Sequence, residues 1–282
     1  MITGALLINK EKGKTSRQEV NQISRLFSEK KAGHIGTLDP FAEGLLVVLL
    51  GRATKIAPFI EQLDKTYLAK LKLGSKTDTA DKDGTIIETK DIPDLNKEKI
   101  NQIFQQFLGK ISQIPPKYSA LKVNGERAYA LARKQVEFEL KPREIEIYEL
   151  RLINFEKDEI TFVCRVSKGT YVRTLAEDIA NKLGTLGYLE ELTRLKIGKF
   201  SLESAIRSSA AKESNLISVN EMLSDYPSVF VSGDDAKKAK NGVSLCFEKQ
   251  NDKLIVVKDE EGPIAMYELS SGSLYHCLRG LR

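Results

Sequence analysis

The stretch GHIGTLDPFAEGLLVVLL, residues 33–50, constrains the fold more than any other part of the chain. Leu45 to Leu50 is an uninterrupted apolar run, too short for a membrane span and the right length for a strand buried on both faces. Gly33, Gly36 and Gly44 allow backbone conformations closed to other residues, and Pro40 fixes the chain just after Asp39. An aspartate between a glycine-rich loop and a buried strand presents one carboxylate at a sheet edge, where active-site groups often sit. Asp before Pro in a loop is more commonly a simple turn-former. The segment alone leaves both readings open.

The rest of the chain predicts a mixture of strands and helices without strict alternation, an α+β fold. Gly4 to Asn9 reads as a short buried strand, and Ser16 as the cap of a helix carrying Val20, Ile23, Leu26 and Phe27 at helical spacing. ATKIAPFIEQL reads as a short helix kinked at Pro58. Thr66 to Leu73 alternates like a half-buried strand, a polar turn follows, and a second strand lies around Ile86. Residues 96–108 form an amphipathic helix, KYSALKV a separate short strand, and 145–153 and 159–166 an antiparallel pair. Thr170 opens a helix ending near Lys182, and a strand follows over 195–200. SSAAKESN, 208–215, is the best linker candidate. Beyond Pro227, short strands separated by turns (SGDD, KNG, DEEG, SSGS) predict a small β-rich, barrel-like domain. The expected division is 1–227 and 228–282.

Composition narrows the function classes. Three widely spaced cysteines argue against a disulfide framework and for a reducing, cytoplasmic setting. The N-terminal apolar run is too short for a secretory segment, and no stretch reads as entering a membrane. With two histidines and no zinc-type spacing, no metal site is expected. Net charge is +5, but residues 1–60 hold nine Lys/Arg against five Asp/Glu, and residues 108–143 eight against three. Two basic segments suit a polyanionic partner such as RNA, although solvated lysine faces would look the same. Gly13-Lys14-Thr15 lacks the first glycine of a phosphate loop, where Ile8 stands. Asp81, Asp83 and Gly84 fit an EF-hand loop poorly, with Thr79 and Lys90 at the end positions, and read instead as a polar hairpin turn.

GHIGTLDPFAEGLLVVLLGRATK closely resembles the catalytic motif of the TruB family of tRNA pseudouridine synthases. The likeness continues in order through LLINKEKGKTS, DKTYLAKLKLGSKTDTADKDG, PPKYSALKVNGERAYALAR, SKGTYVRTLAEDIA and LEELTRLKIGKF, across roughly residues 4–200. One departure is Glu11, where the family usually has proline. The C-terminal region resembles a PUA-type RNA-binding domain more weakly. The resemblance implies a pseudouridine synthase fold, a mixed and largely antiparallel sheet flanked by helices, with a small β-barrel-like C-terminal domain. It implies isomerisation of uridine 55 in the T loop of tRNA by base flipping, without cofactor or metal. It further implies a cytoplasmic monomer whose partner is the tRNA T stem-loop, with no obligate protein partner.

By the same resemblance Asp39 is the catalytic aspartate, Tyr67 stacks on the target base and moves the C5 proton, and Arg173 pairs with Asp39. Tyr171 and Leu192 line the uracil pocket, and His34 helps to hold the flipped nucleotide out. In isolation these would read as a strand tyrosine, a helix arginine and a core leucine; together they read as a site. Two rivals remain, a non-catalytic RNA-binding protein and a guide-RNA-dependent relative. Asp39, Tyr67 and Arg173 count against the first, and the lack of long basic tails against the second.

Overall fold

A computed structural model describes residues 2–119, 121–123, 125–134 and 136–282. The chain begins β1 (Gly4–Lys10), α1 (Ser16–Leu26), β2 (Ala32–Ile35), β3 (Glu43–Leu50), α2 (Ala57–Ile60), β4 (Lys65–Leu73), β5 (Ser75–Thr77) and β6 (Ile86–Thr89). There follow α3 (Lys97–Gln105), β7 (Gly109–Gln113), β8 (Lys122–Val123), β9 (Glu126–Arg127), α4 (Ala128–Arg133), β10 (Arg143–Glu156), β11 (Glu159–Val166) and α5 (Val172–Lys182). The rest is β12 (Gly187–Ile197), β13 (Phe200–Ser201), α6 (Val219–Met222), β14 (Ser228–Phe230), α7 (Gly233–Lys240), β15 (Leu245–Cys246), β16 (Leu254–Asp259), β17 (Gly262–Ser271) and β18 (Leu274–Gly280).

The main sheet runs β1-β3-β12-β4-β11-β10-β7, with β2 added to β3 and β13 to β12. Every pairing in it is antiparallel except β12 on β3. The apolar run of β3 is buried throughout because the sheet is covered on both faces. One face packs on α3 and α5 through Phe104, Phe162, Leu175 and Ile179. Opposite faces of β1 and β3 divide between two clusters, Leu6, Ile8 and Val48 meeting Val20 and Ile23 of α1, and Leu7, Leu45 and Val47 meeting Ile56 and Phe59.

Along β3 one edge changes partner. β12 pairs only with Glu43 and Gly44, while β2 pairs from Val47 to Leu50. In the gap the chain leaves β2 at Ile35, passes through Gly36–Ala42 and re-enters as β3, so Asp39 projects where the ladder is interrupted. Gly44 is required there: its φ is +103°, and a Cβ would lie 2.5 Å from the Arg194 carbonyl oxygen.

Residues 228–282 contribute a second sheet, β14-β16-β17-β18-β15, packed on α7. Its central strands are buried on both faces. Ile255, Val257 and Tyr267 face α7, whereas Val256 and Met266 join the cluster containing Leu7, Phe59, Met222 and Leu281.

Five expectations change. The cap of α1 is Thr15, closed reciprocally with Gln18, and not Ser16. The strand expected over 195–200 starts, as β12, at Gly187, eight residues earlier, because Glu190, Glu191 and Arg194 hide its apolar alternation. Segment 208–215 is no free linker: Ile206 and Ile217 bond to the backbone of β1, and Ser208 and Ala211 are buried between them. The C-terminal region holds a helix, α7, with acidic residues in its first turn and lysines in its last, an order that favours the helix dipole. Of the expected KYSALKV strand only Lys122–Val123 forms; Ala120 and neighbouring Asn124 lie outside the described residues.

Candidate active site

The loop that carries Asp39 is fastened on both sides. The Leu38 amide donates to Ser16 Oγ at 2.9 Å, and Ser16 Oγ donates to the Leu38 carbonyl at 3.1 Å. The Gly13 amide donates to the Pro40 carbonyl at 2.8 Å, and Arg194 Nη2 donates to the Gly36 carbonyl at 2.9 Å. Moving the cap of α1 to Thr15 is what frees Ser16, 2% exposed, for this clamp. Asp39 itself is 37% exposed at its side chain, in reach of a ligand.

Arg173 enters from the first turn of α5, and its side chain is 6% exposed. Nε faces Asp39 Oδ2 at 3.1 Å, Nη1 donates to Asp81 Oδ2 at 3.2 Å and to the Thr79 carbonyl at 2.9 Å, and Nη2 donates to the Tyr118 carbonyl at 2.7 Å. Both faces of the guanidinium fork are thus occupied, which fixes the Asp39 carboxylate from behind. Asp81 is the second anchor. Its Oδ1 accepts from Thr79 Oγ1 at 2.6 Å and from the Asp83 amide at 3.1 Å. Burial pushes the Asp81 carboxyl up, against the Thr79 hydroxyl and Arg173, which favour its charged form.

The hairpin turn expected around Asp81 forms between β5 and β6, and Asp81 does more than shape it, because its side chain turns inward to Arg173 as a second carboxylate beside Asp39. The signal available in the sequence was its spacing within SKTDTADKDG, which turn chemistry alone accounts for equally well. Ser16 and Arg194 were missed for the same reason: a buried polar residue and a surface one look alike in sequence.

Tyr67, on β4, is 9% exposed and packs with Leu38, Phe41 and Leu192. Burial pushes its hydroxyl up, and the charge of Arg194, its cross-strand partner on β12, pulls the other way. Tyr171 caps α5, where its backbone amide donates to Gln113 Oε1 at 2.8 Å and its carbonyl accepts from Gln113 Nε2 at 3.1 Å. Burial raises the Tyr171 hydroxyl, and both Arg173 and Asp39 bear on it. Asp39, Tyr67, Arg173, Tyr171 and Leu192 thus converge. His34 stands apart on β2, its Nε2 3.2 Å from Thr37 Oγ1 on the loop rim, and burial holds its ring below the usual histidine range. Glu11 is absorbed locally, its carboxylate meeting Lys14 at 2.7 Å and Arg207 at 2.6 Å.

One carboxylate, oriented by a fixed guanidinium and 37% exposed, stands beside a buried aromatic ring and a buried leucine. Such a site suits a flat, apolar-faced ring carrying a reactive carbon near Asp39.

Residues 24–172 match the family described as TruB family pseudouridylate synthase (N terminal domain). The tRNA pseudouridine synthase B of Hydrogenovibrio crunogenus is 41% identical over 263 residues, covering 92% of this chain and 87% of that protein. That of Aquifex aeolicus is 39% identical over 279 residues, covering 96% and 97%. Among solved structures, a chain of an H/ACA RNP bound to a substrate RNA containing 2′-deoxyuridine superposes with a TM-score of 0.73 at 19% identity, covering 99% of this chain and 85% of that one. A chain of a Cbf5-Nop10-Gar1 complex gives 0.73 at 23%, covering 96% and 79%. At those identities the structural likeness speaks for the fold.

Proposed function

The chain belongs to the TruB family of pseudouridylate synthases, and from that premise we propose that it isomerises uridine 55 in the T loop of tRNA, with Asp39 as the central catalytic residue. The observation that carries the reading is the Asp39 carboxylate, open to a ligand and bonded from behind by Arg173 at 3.1 Å. The relatives named above are tRNA enzymes by name, which supports tRNA as the substrate. The position within it comes from the sequence resemblance.

The reaction breaks the N1–C1′ bond, turns the uracil and rejoins it through C5, with no net redox change. A stacked uridine cannot reach Asp39, so the nucleotide flips out at a cost of a few kcal/mol. Stacking on an aromatic ring, here Tyr67, returns roughly 1–3 kcal/mol. Leu192 and Tyr171 complete the pocket, and His34, on the loop rim, holds the flipped nucleotide out. Residues 1–227 form the catalytic domain and 228–282 a PUA-like RNA-binding domain. The protein works in the cytoplasm as a monomer without cofactor, guide RNA or obligate protein partner.

The test is incubation of purified protein alone with an unmodified tRNA transcript, followed by mapping of pseudouridine. Product at position 55 is expected, and Asp39→Asn should abolish turnover while leaving tRNA affinity within a few-fold. Turnover by a clean Asp39→Asn preparation would remove this carboxylate from the mechanism. Binding without product by the native protein would favour the RNA-binding reading.

A further inference from the structure

Arg194 is the largest fully buried side chain in the described structure, 1% exposed. Its Nε donates to the Leu45 carbonyl at 2.7 Å and its Nη2 to the Gly36 carbonyl at 2.9 Å, filling the gap in the β3 ladder where β12 gives way to β2. Gly36, at φ +62°, keeps that space open: a Cβ there would lie 3.2 Å from Arg194 Nη1. Among the described residues no carboxylate forms an ion pair with Arg194, whereas Arg173 has two. A guanidinium buried without a counter-ion is costly. Two backbone carbonyls could be satisfied by a neutral amide, so the charge calls for a further role.

That role lies on β4. Arg194 is the register partner of Tyr67, so the two side chains share one face of the sheet, and the guanidinium charge bears on the tyrosine hydroxyl. The other titratable groups bearing on that hydroxyl are Cys164 from β11, whose thiol burial pushes up to about 12, and Asp39 from the loop. Neither favours negative charge on the tyrosine oxygen. Arg194 does.

We propose that Arg194 is a positioning residue of this active site, which ties the Tyr67 hydroxyl to the Asp39 loop and stabilises negative charge on the tyrosine oxygen. The proposal rests on the isomerase reading above. Once C5 has bonded to C1′, C5 must lose its hydrogen as a proton, with the electron pair returning to the ring as the C5–C6 double bond. N1, freed from C1′, gains a proton, so one proton moves overall from C5 to N1. A tyrosine oxygen takes the C5 proton readily only as phenolate, and solvent then carries the proton on to N1. Arg194 reaches no substrate atom; it acts through Tyr67.

The test uses the full chain with 3-fluorotyrosine at position 67, titrated by fluorine NMR in native, Arg194→Lys and Arg194→Met proteins. Loss of a buried cation beside the hydroxyl should raise the titration midpoint by about 1–3 pH units in Arg194→Met, and by less in Arg194→Lys. In single turnover with a stem-loop RNA tritiated at C5 of the target uridine, tritium release at fixed pH should slow about tenfold per unit of that rise. Adding Arg194→Lys or Arg194→Met to Tyr67→Phe should cost nothing further, since the oxygen is already gone. An unmoved midpoint, or losses that simply add in the double variant, overturns the proposal. Should Arg194→Met fail to fold, Arg194→Lys and its double variant with Tyr67→Phe decide. If the native protein releases no tritium, the isomerase reading fails, whereas an unmoved fluorine midpoint with normal release sinks the Arg194 proposal alone.

Discussion

Two arginines in this molecule each lie between two carboxylates, and they differ in almost everything else. Arg173 joins Asp39 and Asp81 with its own side chain 6% exposed. Arg282 joins Asp259 and Glu261 at the turn between β16 and β17, where the Glu261 side chain is 76% exposed. In the first centre burial pushes Asp81 up. In the second, the Arg282 hydrogen bonds hold Asp259 far below the usual carboxylate range, assisted by Lys240. The same three groups therefore make a centre around a buried arginine, 6% exposed, in one place and a tether around a partly exposed one, 23% exposed, in the other. Burial, and not the choice of residues, decides which.

Breaking the two arginines should give the largest contrast. Arg173→Met leaves Asp81 buried without its partner and Asp39 without a rear anchor. We expect turnover to fall by about 10²–10³-fold, as for loss of one preorganised donor, and stability to fall by about 3 kcal/mol. Arg282→Met should leave turnover unchanged and cost under about 1 kcal/mol. Single-turnover rates and urea unfolding of both proteins measure this. Equal stability losses would end the comparison.

Asp81→Asn comes next. The amide can still accept from Arg173 but no longer balances its charge, so Asp39 becomes the only carboxylate on the guanidinium. We expect kcat to drop about 10–100-fold with RNA affinity within a few-fold, because Asp81 touches Arg173 and not the ligand pocket. A raised KM with unchanged kcat would place Asp81 in RNA binding instead.

Asp81 also shows where sequence reading ran out. The run of β3, the alternation of β4 and the helical spacing of α1 and α5 were legible because their apolar period matches their burial. Asp39, Tyr67, Arg173, Tyr171 and Leu192 were legible through ordered motifs, and the fold gathers them. Asp81, Ser16 and Arg194 were not, since each is a polar residue whose partner lies far away in sequence: 92, 22 and 149 residues for Arg173, Leu38 and Leu45. β12 was clipped because its buried residue at 194 is an arginine. Helix α7 was lost because only Ala236 and Ala239 mark its buried side.

Asp178 separates burial from pairing, since it lies on the same helix as Arg173 but no arginine faces it. Burial, with Glu177 adding repulsion, pushes it up to about 6. A carboxyl raised in the folded state binds its proton more tightly there, so folding gains stability as pH falls through about 6 and the gain is complete below about 4. Above pH 7 the charged form carries the full cost. Asp178→Asn should therefore be the more stable protein at pH 8, by about 1 kcal/mol once partial exposure is allowed for. The advantage should shrink through pH 6 and vanish near pH 4. Thermal unfolding at pH 8, 6 and 4 tests it, and a constant difference at all three would mean that charge burial is not the cause.

The smallest effect belongs to Asp259, 11% exposed at its side chain, where pairing outweighs burial. Its carboxylate receives Arg282 Nη1 at 2.9 Å and Lys240 at 3.1 Å, and a second, shorter bond from Arg282 Nη2. Because the folded carboxyl is depressed, its contribution is present above the unfolded value near 4 and is lost as pH falls below it. Asp259→Asn should thus be weaker than the native protein by about 1 kcal/mol at pH 7, since Arg282 is partly exposed and keeps Glu261. The deficit should narrow in high salt, which screens exposed charges, and again in strong acid. Arg282 keeps its bonds to the Pro263 and Gly262 carbonyls, so its position should hold. Turnover should be unchanged, because among the described residues no bond runs from this centre to the Asp39 loop. A loss of several kcal/mol would show that Asp259 stabilises the junction between the sheets, through Arg282 and the Lys55 bond to its carbonyl at 2.8 Å. A loss of turnover at unchanged stability would show instead that the second sheet reports to the active site.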